Sequence, residues 1–68
     1  MTFGQKIEQL RKQRDMTLRK LSEKSGISYS LIQFMVSDER VPTKEAILSL
    51  ARVLQYEDAE ELLRLAGY

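Results

Sequence analysis

Apolar positions recur along this chain at the three- and four-residue spacing of α-helices rather than in the alternation typical of strands. The first stripe consists of Phe3, Ile7 and Leu10. It predicts a helix from about Thr2 to Arg14, and Thr2 and Gln5 have the spacing of a capping box. The pair Asp15-Met16 interrupts the pattern, so the first helix is expected to end there.

The stretch from Thr17 to Ser37 predicts two short helices joined by a tight turn at Gly26. Thr17 and Ser28 stand where the second and third helices need a side-chain oxygen to cap their free amides. Gly26 stands where a helix C-terminus favours a residue with positive φ. The apolar positions of this stretch are Leu18, Leu21, Ile27, Leu31, Ile32 and Met35. The pattern is that of a helix-turn-helix, whose second helix usually enters a major groove.

The remainder of the chain predicts two more helices. Pro42 biases Val41 away from helix, so a charged loop is expected to follow the third helix. Thr43 caps a fourth helix that runs to about Leu54, with inward positions at Ala46, Ile47, Leu50, Ala51 and Leu54. Asp58 and Glu61 repeat the capping-box spacing before a short fifth helix. The whole chain, residues 1–68, is therefore expected to be one all-α domain, a compact bundle of five short helices.

The fifth helix is richer in leucine than one narrow buried stripe requires. Its apolar residues are Leu62, Leu63, Leu65 and Ala66. At least two of the three leucines are expected in the core. The third is expected to be exposed and to offer a surface for dimerisation.

Composition excludes several classes of function. The chain has no cysteine and no histidine, which removes thiolate chemistry, the usual general base and the commonest metal ligand. Its three glycines lie far apart, so no phosphate-cradling loop is present. We expect neither an enzyme nor a cofactor or metal. No apolar run approaches the ~20 residues that span a bilayer, and no signal peptide is visible, so a cytoplasmic protein without membrane contact is expected.

Charge is distributed unevenly, although the net charge is only +1. Residues 1–25 contain seven basic and three acidic residues, whereas residues 57–64 contain one basic and four acidic residues. The basic half suits a position near phosphates, but a solvated helix surface explains the same pattern. Charge alone does not decide between the two interpretations.

The sequence resembles a known family at several points. TLRKLSEKSGIS, the S-x-S-x-I pattern that begins at Ser28, Pro42 and the fourth-helix ending LARVL are similar to the Cro and phage-repressor type of helix-turn-helix domain. The closing EELLRLAGY resembles the fifth helix of such bacterial transcriptional regulators, so the resemblance covers nearly the whole chain. It implies a lambda-repressor-like fold that binds double-stranded operator DNA as a homodimer, with the third helix in the major groove.

The resemblance also implies which residues contact DNA. By position, the base-edge candidates are Tyr29, Ser30, Gln33 and Phe34. The phosphate candidates are Thr17, Arg19, Lys20, Ser28 and Arg40. Glutamine is a natural partner of adenine edges, and the hydroxyl of Tyr29 can reach a phosphate.

Three positions depart from the family pattern. Phe34 stands where Arg, Lys or Gln is common, Val36 where Glu is usual, and Asp38 where glycine usually ends the helix. Because that Glu pairs in the family with an arginine at the position of Arg11, we expect Arg11 to turn toward solvent or to find another carboxylate. Asp38 is expected either to adopt a left-handed conformation or to end the helix differently.

These departures give an alternative function. From Ser28 to Ser37 the third helix carries no charge, and an uncharged aromatic centre is typical of protein–protein interfaces. Tyr29, Phe34 and Val36 would then anchor a protein partner or a second copy of the chain, on a surface that is either natural or engineered. A third interpretation packs Phe34 and Val36 into the core, where Met35 is expected in any case.

Overall fold

The computed structural model describes all 68 residues and consists of five α-helices joined by short loops. They are α1 (Phe3–Gln13), α2 (Leu18–Ser25), α3 (Tyr29–Val36), α4 (Lys44–Val53) and α5 (Ala59–Leu65). The predicted all-α bundle of five short helices is confirmed. No helix combines the length and the apolar character needed to cross a bilayer.

A side-chain oxygen caps the beginning of every helix. The five capping residues are those expected from the sequence: Thr2, Thr17, Ser28, Thr43 and Asp58. At α1 the capping box is complete, because the Gln5 side chain also accepts from the Thr2 N–H at 2.9 Å. At α5 only half of the box forms, since Asp58 accepts from the Glu61 N–H while the Glu61 side chain turns elsewhere.

A residue with positive φ follows or ends every helix. Two of these residues are Gly26 and Gly67, and the other three are Asp15, Asp38 and Gln55. After four of the helices the next N–H reaches back to a carbonyl five residues earlier, as in a Schellman motif; these bonds join Met16 to Arg11, Glu39 to Phe34, Tyr56 to Ala51 and Tyr68 to Leu63. Three of the five helices, α1, α3 and α4, therefore end in this left-handed conformation without a glycine.

One apolar core receives side chains from all five helices. It consists of Phe3, Ile7, Leu10, Leu21, Ile32, Met35, Ile47, Leu50, Ala51, Leu54 and Leu62. The predicted core position of Met35 is confirmed, with 1% of its surface exposed. The prediction of an exposed leucine in α5 is wrong, because Leu62 is fully buried and both Leu63 and Leu65 are half-buried against the core.

Helix packing places α3 between α1 and α2. The α1 helix packs on α3 and α5, whereas α2 packs on α3 and α4, and α4 also packs on α5. Where α1 meets α5, the Tyr56 hydroxyl donates to Glu61, and the Lys6 ammonium lies 3.5 Å from the Glu61 carboxylate. The Tyr56 bond and the Lys6 charge lower the pKa of Glu61 below its ordinary value. This cluster joins α5 to the first helix on the molecule's acidic side.

Candidate nucleic-acid interface

The turn between α2 and α3 is held by serine side chains. Gly26 has φ of 75°, the left-handed conformation predicted for it. The Ser22 hydroxyl donates to the Ile27 carbonyl at 2.5 Å, and Ser25 Oγ accepts from the Ile27 N–H at 3.3 Å. From α4, the Ser49 hydroxyl donates to the Ser25 carbonyl at 3.1 Å. These bonds fix the angle at which α3 leaves the turn.

The buried face of α3 is its apolar one. Ile32 and Met35 are each 1% exposed, and Leu31 and Val36 are half-buried beside them. On the opposite side Ser30, Gln33, Phe34 and Ser37 are exposed, and Tyr29 is half-buried at the start of the helix. The four base-edge candidates of the sequence therefore lie outside the core, on or beside the free face.

The two aromatic side chains of α3 each lie beneath an arginine. The Arg19 guanidinium lies 4.9 Å from the centroid of the Tyr29 ring. The Arg40 guanidinium lies 5.4 Å from the centroid of the Phe34 ring. Both separations are within the ~6 Å range of cation–π contacts. The charge that α3 lacks in its own sequence is thus supplied by α2 on one side and by the following loop on the other.

Phe34 remains 41% exposed beneath its arginine, so the interpretation that packs it into the core is wrong for Phe34. For Val36 that interpretation is partly right, since Val36 is half-buried against the core. The three residues of the alternative protein interface are therefore not equally available. Val36 and Phe34 are two residues apart on the helix, which places them on different sides of it.

The other phosphate candidates lie at the beginnings of α2 and α3. Thr17 and Ser28 are exposed, and their hydroxyl oxygens accept from the N–H groups of Lys20 and Leu31 as helix caps. Each hydroxyl hydrogen stays free to donate to another oxygen. The Lys20 ammonium is exposed and lies 4.0 Å from the Glu23 carboxylate, a contact that leaves most of its charge in solvent.

Arg11 pairs with the carboxylate of Glu8, which is one of the two outcomes that the sequence predicts. Its guanidinium donates to Glu8 through Nε at 2.7 Å and through a second nitrogen at 2.9 Å. A third bond goes to the Met16 carbonyl at 3.2 Å. The hydrogen bonds from Arg11 lower the pKa of Glu8 below its ordinary value. Glu8 thus satisfies the guanidinium in place of a carboxylate on α3.

Asp38 fixes the far end of α3 to α1. Its φ is 61°, so the expectation of a left-handed conformation is confirmed. Its carboxylate accepts from the backbone N–H of Gly4 at 2.9 Å, in the first turn of α1. A free helix N-terminal amide favours an anionic partner. Sequence reasoning missed this contact because the two residues are 34 positions apart and only the folded bundle brings them together.

These contacts define a helix-turn-helix, formed by α2 and α3. Its turn is held by hydrogen bonds, and one face of α3 is exposed. Residues 7–65 match the helix-turn-helix family of Cro and phage-repressor type. The chain belongs to this family, which is a family of DNA-binding domains.

A similar segment occurs in a much larger curated protein. The type II methyltransferase M.Sau96I of Staphylococcus aureus is 42% identical to this chain over 52 residues. The match covers 76% of this chain but only 12% of that protein. No solved structure matches the chain significantly.

Proposed function

We propose that this chain is the DNA-binding domain of a transcriptional regulator, with α3 lying in the major groove of an operator. The observation that carries the proposal is the free face of α3, where the polar side chains Ser30 and Gln33 are exposed between flanking basic residues. A helix of this diameter fits a major groove, and Gln33 can bond to both N6 and N7 of an adenine. Phosphate contacts come from Thr17, Arg19, Lys20, Ser28 and Arg40.

The regulator is proposed to act as a homodimer on a two-fold symmetric operator, as repressors of this fold generally do. The α4–α5 side offers a surface for self-association. Leu48 and Tyr68 are 47% and 49% exposed there. Nearby, a surface groove of about 410 Å³ is lined by Lys44, Glu60, Leu63, Arg64 and Tyr68. The mixture of both charges with apolar side chains suits an isologous contact, in which each copy presents the same patch.

The likeness to a methyltransferase does not lead us to propose methyl transfer. The matched segment belongs to a DNA-binding family. Recognition of duplex DNA is the property that a segment of this kind brings to a larger protein as well as to a separate regulator.

Selection from a random duplex library, followed by fluorescence anisotropy at several salt concentrations, tests the proposal. A selected duplex of roughly 20 base pairs accommodates two half-sites one helical turn apart. Binding should weaken steeply with salt because several phosphates are neutralised. Replacing Gln33→Ala should weaken binding of the selected duplex about tenfold or more and leave an unrelated duplex unaffected.

Gln9→Ala is the matched control, because Gln9 is an exposed glutamine of α1 outside the helix-turn-helix. It should leave both affinities unchanged. Equal losses in the two variants, or the absence of any salt-dependent binding, would contradict the proposal.

A second candidate function is association with a protein through α3. The observation that favours it is the apolar Phe34 side chain, which is 41% exposed on α3. In that case light scattering would detect a complex indifferent to salt. Replacing Phe34→Lys would abolish the complex without altering the helical circular dichroism spectrum. An unchanged complex in this variant would rule the candidate out.

A further inference from the structure

The two arginines that lie over α3 have donors to spare. Neither Arg19 nor Arg40 forms an ion pair, and neither guanidinium donates a hydrogen bond within the chain. Each guanidinium instead lies over an aromatic ring, at 4.9 Å for Arg19 and 5.4 Å for Arg40, and its N–H groups have no acceptor within the chain. Arg11 differs, since Glu8 and the Met16 carbonyl already occupy its guanidinium.

The backbone after α3 contributes to the position of Arg40. The N–H groups of Glu39 and Arg40 both bond to the Phe34 carbonyl, at 2.9 and 3.4 Å. This Schellman-type turn folds the chain back, so that Arg40 returns to Phe34 in the last turn of α3. A side chain six positions later in sequence thereby lies over the Phe34 ring at 5.4 Å.

The angular order of side chains around α3 shows where the two arginine–aromatic pairs lie relative to the polar residues. At about 100° of rotation per residue, Gln33 lies about 40°, Ser30 about 100° and Phe34 about 140° from Tyr29. The two polar residues therefore lie between the two rings, and the observed exposure of Ser30 and Gln33 agrees with this order. One arginine–aromatic pair lies on each side of the polar stripe.

We infer that Tyr29 and Phe34 are positioning residues that hold Arg19 and Arg40 ready to bind the phosphates on the two sides of the major groove, while Ser30 and Gln33 contact base edges. The inference rests on the proposed function and assigns different roles within its site. A groove ~12 Å wide is bordered by a phosphate backbone on each side, which matches a charge on each side of the helix. Phe34 thus raises DNA affinity without a hydrogen bond of its own, because it restricts where Arg40 can be.

A double-mutant cycle between Phe34 and Arg40 tests this role, with the selected duplex and an unrelated duplex as the two probes. Arg40→Ala should weaken binding of both duplexes and lower the salt slope by about one, the loss of one phosphate contact. Phe34→Leu keeps the apolar bulk but removes the ring, and it should weaken both duplexes by about two- to fivefold. In the Arg40→Ala background, Phe34→Leu should have no further effect. Phe34→Trp should restore the affinity, because tryptophan is the best cation–π partner.

Arg52→Ala, at an exposed arginine of α4 outside the helix-turn-helix, is the control for a general loss of charge. Thermal unfolding of each variant checks that the fold is intact. If Phe34→Leu weakens binding equally with and without Arg40, or weakens only the selected duplex, Phe34 contacts a base and the inference is overturned. If the unaltered chain binds no duplex at all, the proposed function itself fails, and the inference fails with it.

Discussion

The turns at the two ends of α3 use the same backbone conformation for different reasons. Gly26, before α3, and Asp38, after it, have φ values of 75° and 61°. A Cβ added at Gly26 would meet nothing within 4 Å, so glycine serves there only for its conformational freedom. At Asp38 the side chain is used, because its carboxylate accepts from the Gly4 N–H at 2.9 Å. A left-handed residue after a helix can therefore carry a tertiary contact as well as a change of direction.

The turn after α3 also requires a glycine in the helix that it contacts, at Gly4 of α1. The reason there is space rather than backbone conformation. A Cβ on Gly4 would lie 2.2 Å from the Val36 carbonyl oxygen and 2.9 Å from the Asp38 carboxylate. Gly4 thus permits the beginning of α1 to approach the end of α3 closely enough for the Asp38 bond. The two residues form one junction between the helices.

The largest effect is expected from Gly4→Ala. Alanine is the better helix former, but its methyl group would collide with backbone atoms that belong to another helix. We expect the free energy of unfolding to fall by about 1–3 kcal/mol, the usual cost of overpacking. Urea denaturation measures the change. A variant as stable as the unaltered chain would show that the α1–α3 junction is looser than its geometry indicates.

A smaller loss is expected from Asp38→Ala. Alanine keeps the strained conformation but removes the carboxylate from the α1 terminus, which should lower the free energy of unfolding by about 1–2 kcal/mol. Asp15→Ala is the matched control, since Asp15 has φ of 53° but its side chain makes no hydrogen bond. Equal losses in the two variants would show that Asp38 contributes only its backbone conformation.

Gly26→Ala should lower the free energy of unfolding by about 1 kcal/mol, because alanine disfavours the left-handed conformation and here meets no steric obstacle. The contrast with Gly4→Ala separates conformational strain from collision. Thermal unfolding of the two variants side by side provides the measurement. A loss at Gly26 that exceeds the loss at Gly4 would reverse our explanation of the two glycines.

The smallest effect concerns pH and lies away from both turns. The folded-state pKa of Glu61 is depressed below its ordinary 4.5 by the Tyr56 hydroxyl and by Lys6. Its contribution to stability is therefore complete above about pH 4.5 and is lost as the pH falls through the folded-state value. Glu61→Gln should reduce the acid sensitivity of unfolding in this range and leave the Asp38 effect unchanged. If unfolding of Glu61→Gln depended on acid pH in the same way as unfolding of the unaltered chain, Glu61 would not be a source of the acid sensitivity.

The sequence predicts the beginnings of the helices well because capping is local. All five capping residues act within three positions of themselves. The sequence also predicts where the first and fourth helices end, near Asp15 and Leu54, but not the left-handed conformations of Asp15 and Gln55, which usually indicate glycine. The number of leucines in α5 predicts an exposed one, whereas Leu63 and Leu65 are half-buried beside Leu62.

The candidate site was only partly visible in the sequence for a related reason. The exposed polar residues Ser30 and Gln33 follow from helical periodicity and family resemblance. The arginines over Tyr29 and Phe34 do not, because each pair joins separate parts of the fold. In the sequence, the absence of charge in α3 indicates a protein interface. In the folded chain, Arg19 and Arg40 bring positive charge to both sides of α3.

Amide chemical-shift mapping of the labelled chain, titrated with the selected duplex, tests the central claim most directly. If α3 lies in the major groove between two phosphate-bound arginines, the largest shifts should fall on Ser28, Ser30 and Gln33, flanked by Arg19 and Arg40. Shifts concentrated instead on the α4–α5 groove at Lys44, Leu63 and Tyr68 would contradict the account, as would a spectrum that the duplex leaves unchanged.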